Sequence, residues 1–324
     1  MERIRLAVDV ESGDFGAEII IAGVIEALQR SETRFKVFLC GDKGDIEKIL
    51  QSDTGGAGRF NNDLEIVHCP DRVTALEQRR IHVWKEMRNA SIIRSITFQK
   101  EGAVDATISA GDTAILLGGA LFILGRRKNA LRPALAAFLP TTEKRGALLL
   151  DVGANLNCRK EHLVSFAMIG REYLSAMGDN TMPRVALLNI GSEQVKGTNV
   201  IGEADKILRR KCPGYAGFIE ANNVFSGGAD VIVSDGFAGN VLLKTGESFH
   251  MLIQSVLQKK PSMLVGLKED LAILDADNYG AVPFLGIRGI VLKAHGRSSP
   301  RAIASALLAA EAAVQRNRSN GIFA

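Results

Sequence analysis

The chain lacks the residues that would mark several large function classes. Its 324 residues include four cysteines, Cys40, Cys69, Cys158 and Cys212, far apart and without a CxxC spacing. That excludes a disulfide framework and a cysteine-based zinc site and fits a reducing cytosol. One Trp and three Tyr leave too few flat rings for a single-stranded nucleic acid platform, so no nucleic-acid partner is expected. No apolar run approaches the roughly 18 residues needed to span a bilayer. The opening MERIRLAVDV enters a strand pattern without the apolar core of a signal peptide. GxGxxG, GxxxxGK followed by Ser or Thr, HExxH and GxSxG are all absent. Dinucleotide, P-loop, zinc and nucleophile-elbow readings therefore have no motif to stand on, and neither a cofactor nor a metal is expected.

What is present is a soluble-protein composition, 46% hydrophobic and 23% charged, with 33 glycines. The formal net charge of +4 permits an acidic partner, an anionic substrate or an anionic membrane surface, and equally a plain solvated surface.

Apolar strand-like runs recur at 4–10, 36–40, 64–68, 105–109, 147–152, 184–190, 215–220, 230–234 and 289–294. Amphipathic stretches lie at 18–29, 45–51, 74–99, 113–124, 161–176, 197–209, 240–257 and 300–315. This alternation predicts a three-layer α/β/α, Rossmann-like fold with a mainly parallel sheet covered on both faces. One α/β domain is expected over 1–324, with a helical hairpin protruding at about 245–275. Segment 52–62, with its glycines, reads as a loop, and 125–142 as a connector in which Pro133 and Pro140 bracket a short apolar piece.

The strand ends carry the chemistry. ADVIVSDGFAGNVLLKT (229–245) runs from a strand through Asp235, Gly236, Gly239 and Asn240 to Lys244. Others end likewise: Asp9, Gly13 and Asp14; Ser109, Gly111, Asp112 and Thr113; Asp151 and Asn155; Asn189, Gly191, Lys196 and Asn199; Lys293 and His295. A single such loop is compatible with an ordinary turn. Six with matching chemistry point to one sheet edge, where open α/β sheets bind ligands. Helix N-termini, amides and lysines at such an edge suit a tetrahedral anion such as phosphate and a developing oxyanion. The stretch 74–99 carries Arg79, Arg80, Lys85 and Arg88. Two readings remain open for it, a solvated helix face or a docking surface for an acidic partner.

The motifs RPALAAFLPT (132–141), LLLDVGAN (148–155) followed by Cys158 and by Glu161-His162-Leu163, LLNIGSEQVKGTN (187–199), DGFAGNVLLKT (235–245), NYG (278–280) and VLKAHG (291–296) occur in this order. Together they resemble the PlsX-type phosphate acyltransferases over essentially the whole chain. The resemblance implies transfer of a long-chain acyl group from acyl carrier protein to inorganic phosphate, giving acyl phosphate for phospholipid synthesis. It also implies a homodimer, relation to the phosphotransacetylase and isopropylmalate dehydrogenase folds, and a cytoplasmic enzyme in peripheral contact with the membrane, where a glycerol-3-phosphate acyltransferase would use its product. In that scheme Lys196 and Asn199 hold phosphate or the oxyanion, Asp235 orients phosphate or exchanges a proton, Asn240 donates to the carbonyl oxygen, and His295 with Lys293 lines the pocket. Arg79, Arg80, Lys85 and Arg88 receive the carrier.

The chain departs from the family pattern at Asp9-Val10-Glu11-Ser12-Gly13-Asp14, where Asp-Ala-Met-Gly-Gly-Asp is usual. It departs again at Ser109-Ala110-Gly111-Asp112-Thr113-Ala114, where Asp112 replaces an amide, and at Asn157 and Arg297. Glu11 and Asp112 add negative charge, which is expected to weaken phosphate binding unless a lysine offsets it. A phosphotransacetylase-like enzyme using acyl-coenzyme A and a catalytically weakened scaffold are the competing readings.

Overall fold

The computed structural model describes every residue except 1–2, 32–34, 53–56, 74–82, 144–145, 179–181, 260–274, 322 and 324. The chain folds as two compact units, 1–127 with 277–324, and 128–276.

In the first unit the strands β1 (Arg5–Asp9), β2 (Lys36–Gly41), β3 (Leu64–His68), β4 (Ala106–Ser109), β10 (Ala281–Leu285) and β11 (Ile290–Ala294) stand in the order β3-β2-β1-β4-β11-β10. All pairings are parallel except β10 with β11. β1, β2 and β4 are buried along almost their whole length, as expected of strands covered on both faces. The helices are α1 (Ala17–Arg30), α2 (Lys43–Ser52), α3 (Val83–Glu86), α4 (Ser91–Lys100), α5 (Thr113–Ile123) and α9 (Pro300–Asn320). Register places Cys40, Asp9, Ser109 and Lys293 in one row across four strands. Parallel strands thus bring side chains from distant sequence positions to one end of the sheet.

The second unit orders its strands β5-β6-β9-β7-β8: β5 (Ala134–Leu139), β6 (Ala147–Leu150), β7 (Val185–Leu188), β8 (Tyr215–Ile219) and β9 (Val231–Val233). Only β5 with β6 is antiparallel. Its helices are α6 (Lys160–Ala176), α7 (Asn199–Lys211) and α8 (Gly236–Gln258). Leu150, Val233 and Leu187 align at the strand ends, so the loops after them emerge together.

The mainly parallel α/β architecture expected from the sequence is present, with corrections. The stretch 125–142 is not a plain connector, since β5 lies within it. β10 was not expected at all. The helix expected over 74–99 is broken: α3 ends at Glu86 and α4 starts at Ser91. Between them Ala90 bridges Asp71, a contact that a continuous helix would forbid. Helix α8 begins at Gly236 rather than Asn240 because Asp235 caps it, accepting from the Ala238 N–H at 2.8 Å. Thr198 caps α7, accepting from the Ile201 N–H at 3.3 Å. The first leg of the expected hairpin is α8, and its second leg falls in 260–274, outside the described residues. Among the described residues no helix is long and apolar enough to cross a membrane.

Candidate active site

In the first unit Asp9 is buried at the end of β1. Its carboxylate accepts from the Ser91 and Ser109 hydroxyls, each at 2.6 Å, and from the Glu11 N–H at 3.3 Å. Ser109 Oγ in turn accepts from the Gly111 N–H at 3.0 Å. Sequence reasoning missed Ser91. It sits at the start of α4 with no motif around it, and only the fold brings it to Asp9. Lys293 Nζ donates to the Ala110 carbonyl at 3.5 Å and to that of Ala294. The Asp14 N–H donates to the Gly296 carbonyl at 2.8 Å, and Asp14's carboxylate lies against Gly296, where a Cβ would come within 2.8 Å of it. Gly13 precedes it in the same loop. His295 is exposed, and its Nδ1 accepts from the Arg297 N–H at 3.1 Å, leaving Nε2 to carry the proton of the neutral ring.

Both extra carboxylates have partners. Asp112 caps α5, accepting from the Ala114 and Ile115 N–H groups at 2.9 and 3.0 Å, with Thr113 opening that helix. Glu11 accepts from the Asp42 N–H at 2.8 Å and pairs with Arg72 at 3.4 Å. Burial nonetheless raises its pKa above the usual carboxylate value. Of the expected docking residues, Lys85 on α3 and Arg88 in the following turn are exposed, while Arg79 and Arg80 lie outside the described residues.

In the second unit Asp151 is the hub. It is fully buried and accepts from the Leu135, Ala154 and Asn155 N–H groups at 2.9, 3.1 and 2.5 Å, and from the Asn155 side chain at 2.9 Å. Burial still raises its pKa against these hydrogen bonds. The same Asn155 amide donates to the Pro133 carbonyl at 2.8 Å. Helix α8 is docked onto this knot. The Gly236 N–H donates to the Asn155 carbonyl at 2.8 Å, Asn240 Nδ2 to the Val152 carbonyl at 3.1 Å, and Ser234 Oγ to the Asp151 carbonyl at 3.2 Å. Gly239 is required here, since a Cβ would lie 2.0 Å from the Asp151 carbonyl oxygen.

Asp235 Oδ1 caps α8, and its Oδ2 has no hydrogen-bond partner among the described residues. Half-buried Cys158 sits beside it. Burial, then the Asp151 and Asp235 carboxylates, push its thiol up to about 12, so it is protonated and a poor nucleophile at neutral pH. Burial, then Arg132 and Arg159, lower the His162 pKa.

A second loop carries Lys196. Asn189 Nδ2 donates to the Gly191 and Lys196 carbonyls at 3.1 and 3.0 Å, closing the loop. Lys196 Nζ pairs with Glu193 at 3.0 Å, a residue that sequence reasoning did not single out. Asn199 is exposed in the first turn of α7. Lys244 lies two turns along α8, paired with Glu247 at 2.7 Å. The structure thus unites Asp151, Asn155, Asp235, Gly236, Gly239 and Asn240. No hydrogen bond or ion pair among the described residues joins Lys196 or Asn199 to that knot.

An open groove of about 500 Å³ follows α8 from Asn240 past Lys244 to Phe249 and Leu252. Among the described residues no group of three or more His, Cys, Asp or Glu is arranged to hold a metal.

A family model described as "Fatty acid synthesis protein" matches residues 4–320. A phosphate acyltransferase from Campylobacter concisus is 36% identical over 95% of this chain and 93% of its own length. One from Nitratiruptor is 35% identical over 94% and 92%. Among solved structures, a phosphotransacetylase from Streptococcus pyogenes superposes with a TM-score of 0.67 over 98% of this chain and 95% of that one, at 14% identity.

Proposed function

The chain belongs to the fatty acid synthesis protein family, and on that footing we propose that it moves a long-chain fatty acyl group from acyl carrier protein to inorganic phosphate. It is an acyltransferase acting on phosphate. Kinship to curated phosphate acyltransferases over nearly the whole chain carries that reading.

In the proposed step an oxygen of hydrogen phosphate attacks the thioester carbon. A C–O bond forms, the C–S bond breaks, and the proton carried by phosphate passes to the departing thiolate. The nucleophile is already anionic, so the protein's contribution is orientation and charge stabilisation. Lys196 is the phosphate cation and exchanges Glu193 for the substrate anion. At the start of α8 the Gly236, Ala238 and Gly239 N–H groups are engaged, and the Phe237 N–H faces the developing oxyanion. Asp235 holds the phosphate proton through the oxygen not used for capping. Asn240 would release the Val152 carbonyl to donate to the substrate carbonyl. Lys293 and His295 Nε2 serve anion binding in the first unit, and Asn199 supports phosphate. The apolar side of the α8 groove, Val241, Phe249 and Leu252, takes the acyl chain.

The proposal extends to a homodimer, to use of the acyl phosphate by a glycerol-3-phosphate acyltransferase, and to peripheral contact with the cytoplasmic membrane. The exposed Phe249, Leu252 and Val256 of α8 support that contact.

The test is phosphate-dependent loss of palmitoyl-acyl carrier protein, with the product trapped by hydroxylamine. A hydroxamate that forms only with phosphate present is the expected result. Folded protein that gives none at saturating phosphate overturns the reading, and a preference for palmitoyl-coenzyme A reassigns the donor.

A further inference from the structure

Helix α5, TAILLGGALFI, has no charged side chain and is apolar on every face, the pattern of a helix covered all round. It is covered only in part. Ile115, Leu116, Gly119 and Ala120 are buried, while Leu121 is 40% and Phe122 56% exposed. The neighbouring helix α3 sets a cation beside Phe122. Trp84 rests on Gly118, where a Cβ would come within 2.7 Å of the indole ring. That contact brings the next residue, Lys85, over Phe122, with its ammonium 5.6 Å from the ring centroid. Arg88 is exposed in the turn after α3, and Arg126 is exposed three residues past the end of α5. Glu86 is the one opposing charge on these segments.

We propose that Leu121 and Phe122 are the apolar centre of the docking surface for the acidic acyl carrier protein, with Lys85, Arg88 and Arg126 as its cationic rim. The inference rests on the reaction proposed above. An exposed aromatic anchor with flanking charges is the composition of a protein-binding hot spot. Two observations favour this occupant. A second copy docked on itself here would set like charges against one another, whereas an acidic surface complements them. The position also fits. α5 starts at Thr113, just after the strand end that carries Ser109, and Phe122 lies nine residues along it, about 14 Å at 1.5 Å per residue. A carrier seated there lies along the same helix from the strand end where Lys293, the anion-binding cation of this unit, stands opposite Ser109.

The experiment compares wild type with Phe122→Ser and Lys85→Glu on two donors, palmitoyl-acyl carrier protein and carrier-free palmitoyl-N-acetylcysteamine. Direct binding of unacylated carrier protein, followed by fluorescence anisotropy, is a readout that does not need turnover. Both variants are expected to raise KM for the carrier donor and the carrier Kd about tenfold, with kcat and the rate on the carrier-free donor within twofold of wild type. Added salt should raise the carrier KM of wild type more than that of Lys85→Glu. An unchanged carrier KM and Kd, or equal losses on both donors, would overturn the docking surface. So would lost vesicle binding or a lowered solution mass with carrier binding intact, since a lipid or a second copy would then be the occupant. If wild type turns over neither donor, the reaction itself fails, and the anisotropy arm still decides whether the carrier docks at Phe122.

Discussion

Asp9 ends β1 in the first unit and Asp151 follows β6 in the second, and the two are held in different ways. Asp9 is gripped by two serine hydroxyls and one N–H. Asp151 takes three N–H groups and a side-chain amide. Hydroxyls rotate about their own side chains, whereas backbone donors fix the path of the chain that carries them. Asp9 therefore orders side chains, while Asp151 orders the 151–155 loop and, through Asn155 and Gly236, the start of α8. The second unit holds its helix N-terminus rigidly. The first engages its extra acidic residues in a helix cap and an ion pair.

The contrast is sharpest at Asp151 itself. Asp151→Ala strands buried donors and is expected to lower the unfolding free energy by about 3–5 kcal/mol in denaturant titration. A loss below 1 kcal/mol would mean the knot is not the hub described. The two close-packed glycines give a matched pair. Gly239→Ala drives a methyl into the Asp151 carbonyl and should cost about 3 kcal/mol. Gly296→Ala meets only the Asp14 carboxylate, which can swing aside, and should cost less than about 1 kcal/mol. Equal costs would erase the difference in rigidity.

Cys158 probes the electrostatics of the same knot. Because its thiol is pushed up to about 12, the reactive thiolate is scarce until the pH nears that value. Iodoacetamide at pH 8 should label it at least about a hundredfold more slowly than a free cysteine, with labelling rising as the pH is raised. Labelling at the free-thiol rate would contradict the assigned surroundings. Lys196→Met should raise KM for phosphate about tenfold with stability unchanged, as befits an exposed residue. A change below threefold would remove Lys196 from phosphate binding. The smallest effects belong to the first unit. Asp112→Asn keeps an N-cap of equal quality and Glu11→Met leaves Arg72 paired with Asp45 at 2.5 Å, so each should leave phosphate KM within threefold. A larger improvement would show that these charges reach the substrate.

Much of this was legible in the sequence because buried parallel strands are short apolar runs ended by glycine and polar groups, and that signal is local. β5 and β10 escaped because proline obscures them. Pro133 and Pro140 bracket the first, and Pro283 sits inside the second, paired opposite Leu292, where proline argues against a strand. The break between α3 and α4 was hidden because a basic amphipathic pattern runs across it. Only the bridge from Ala90 to Asp71 and the seat of Trp84 on Gly118 show where the helix must stop. At the site, residue types were readable but their engagement was not. That Asp151 spends its oxygens on Leu135, Ala154 and Asn155, and that Lys196 is held by Glu193, depends on where the loops fold back. The weakening expected from Glu11 and Asp112 followed from counting charges, and Arg72 and the α5 N-terminus supply the partners that such a count omits.

Phosphorus-31 NMR of protein, palmitoyl-acyl carrier protein and inorganic phosphate tests acyl transfer to phosphate most directly. An acyl phosphate resonance that grows as the thioester is consumed, and only when all three are present, is the expected result. Consumption of the thioester to free fatty acid with the phosphate resonance unchanged would contradict it.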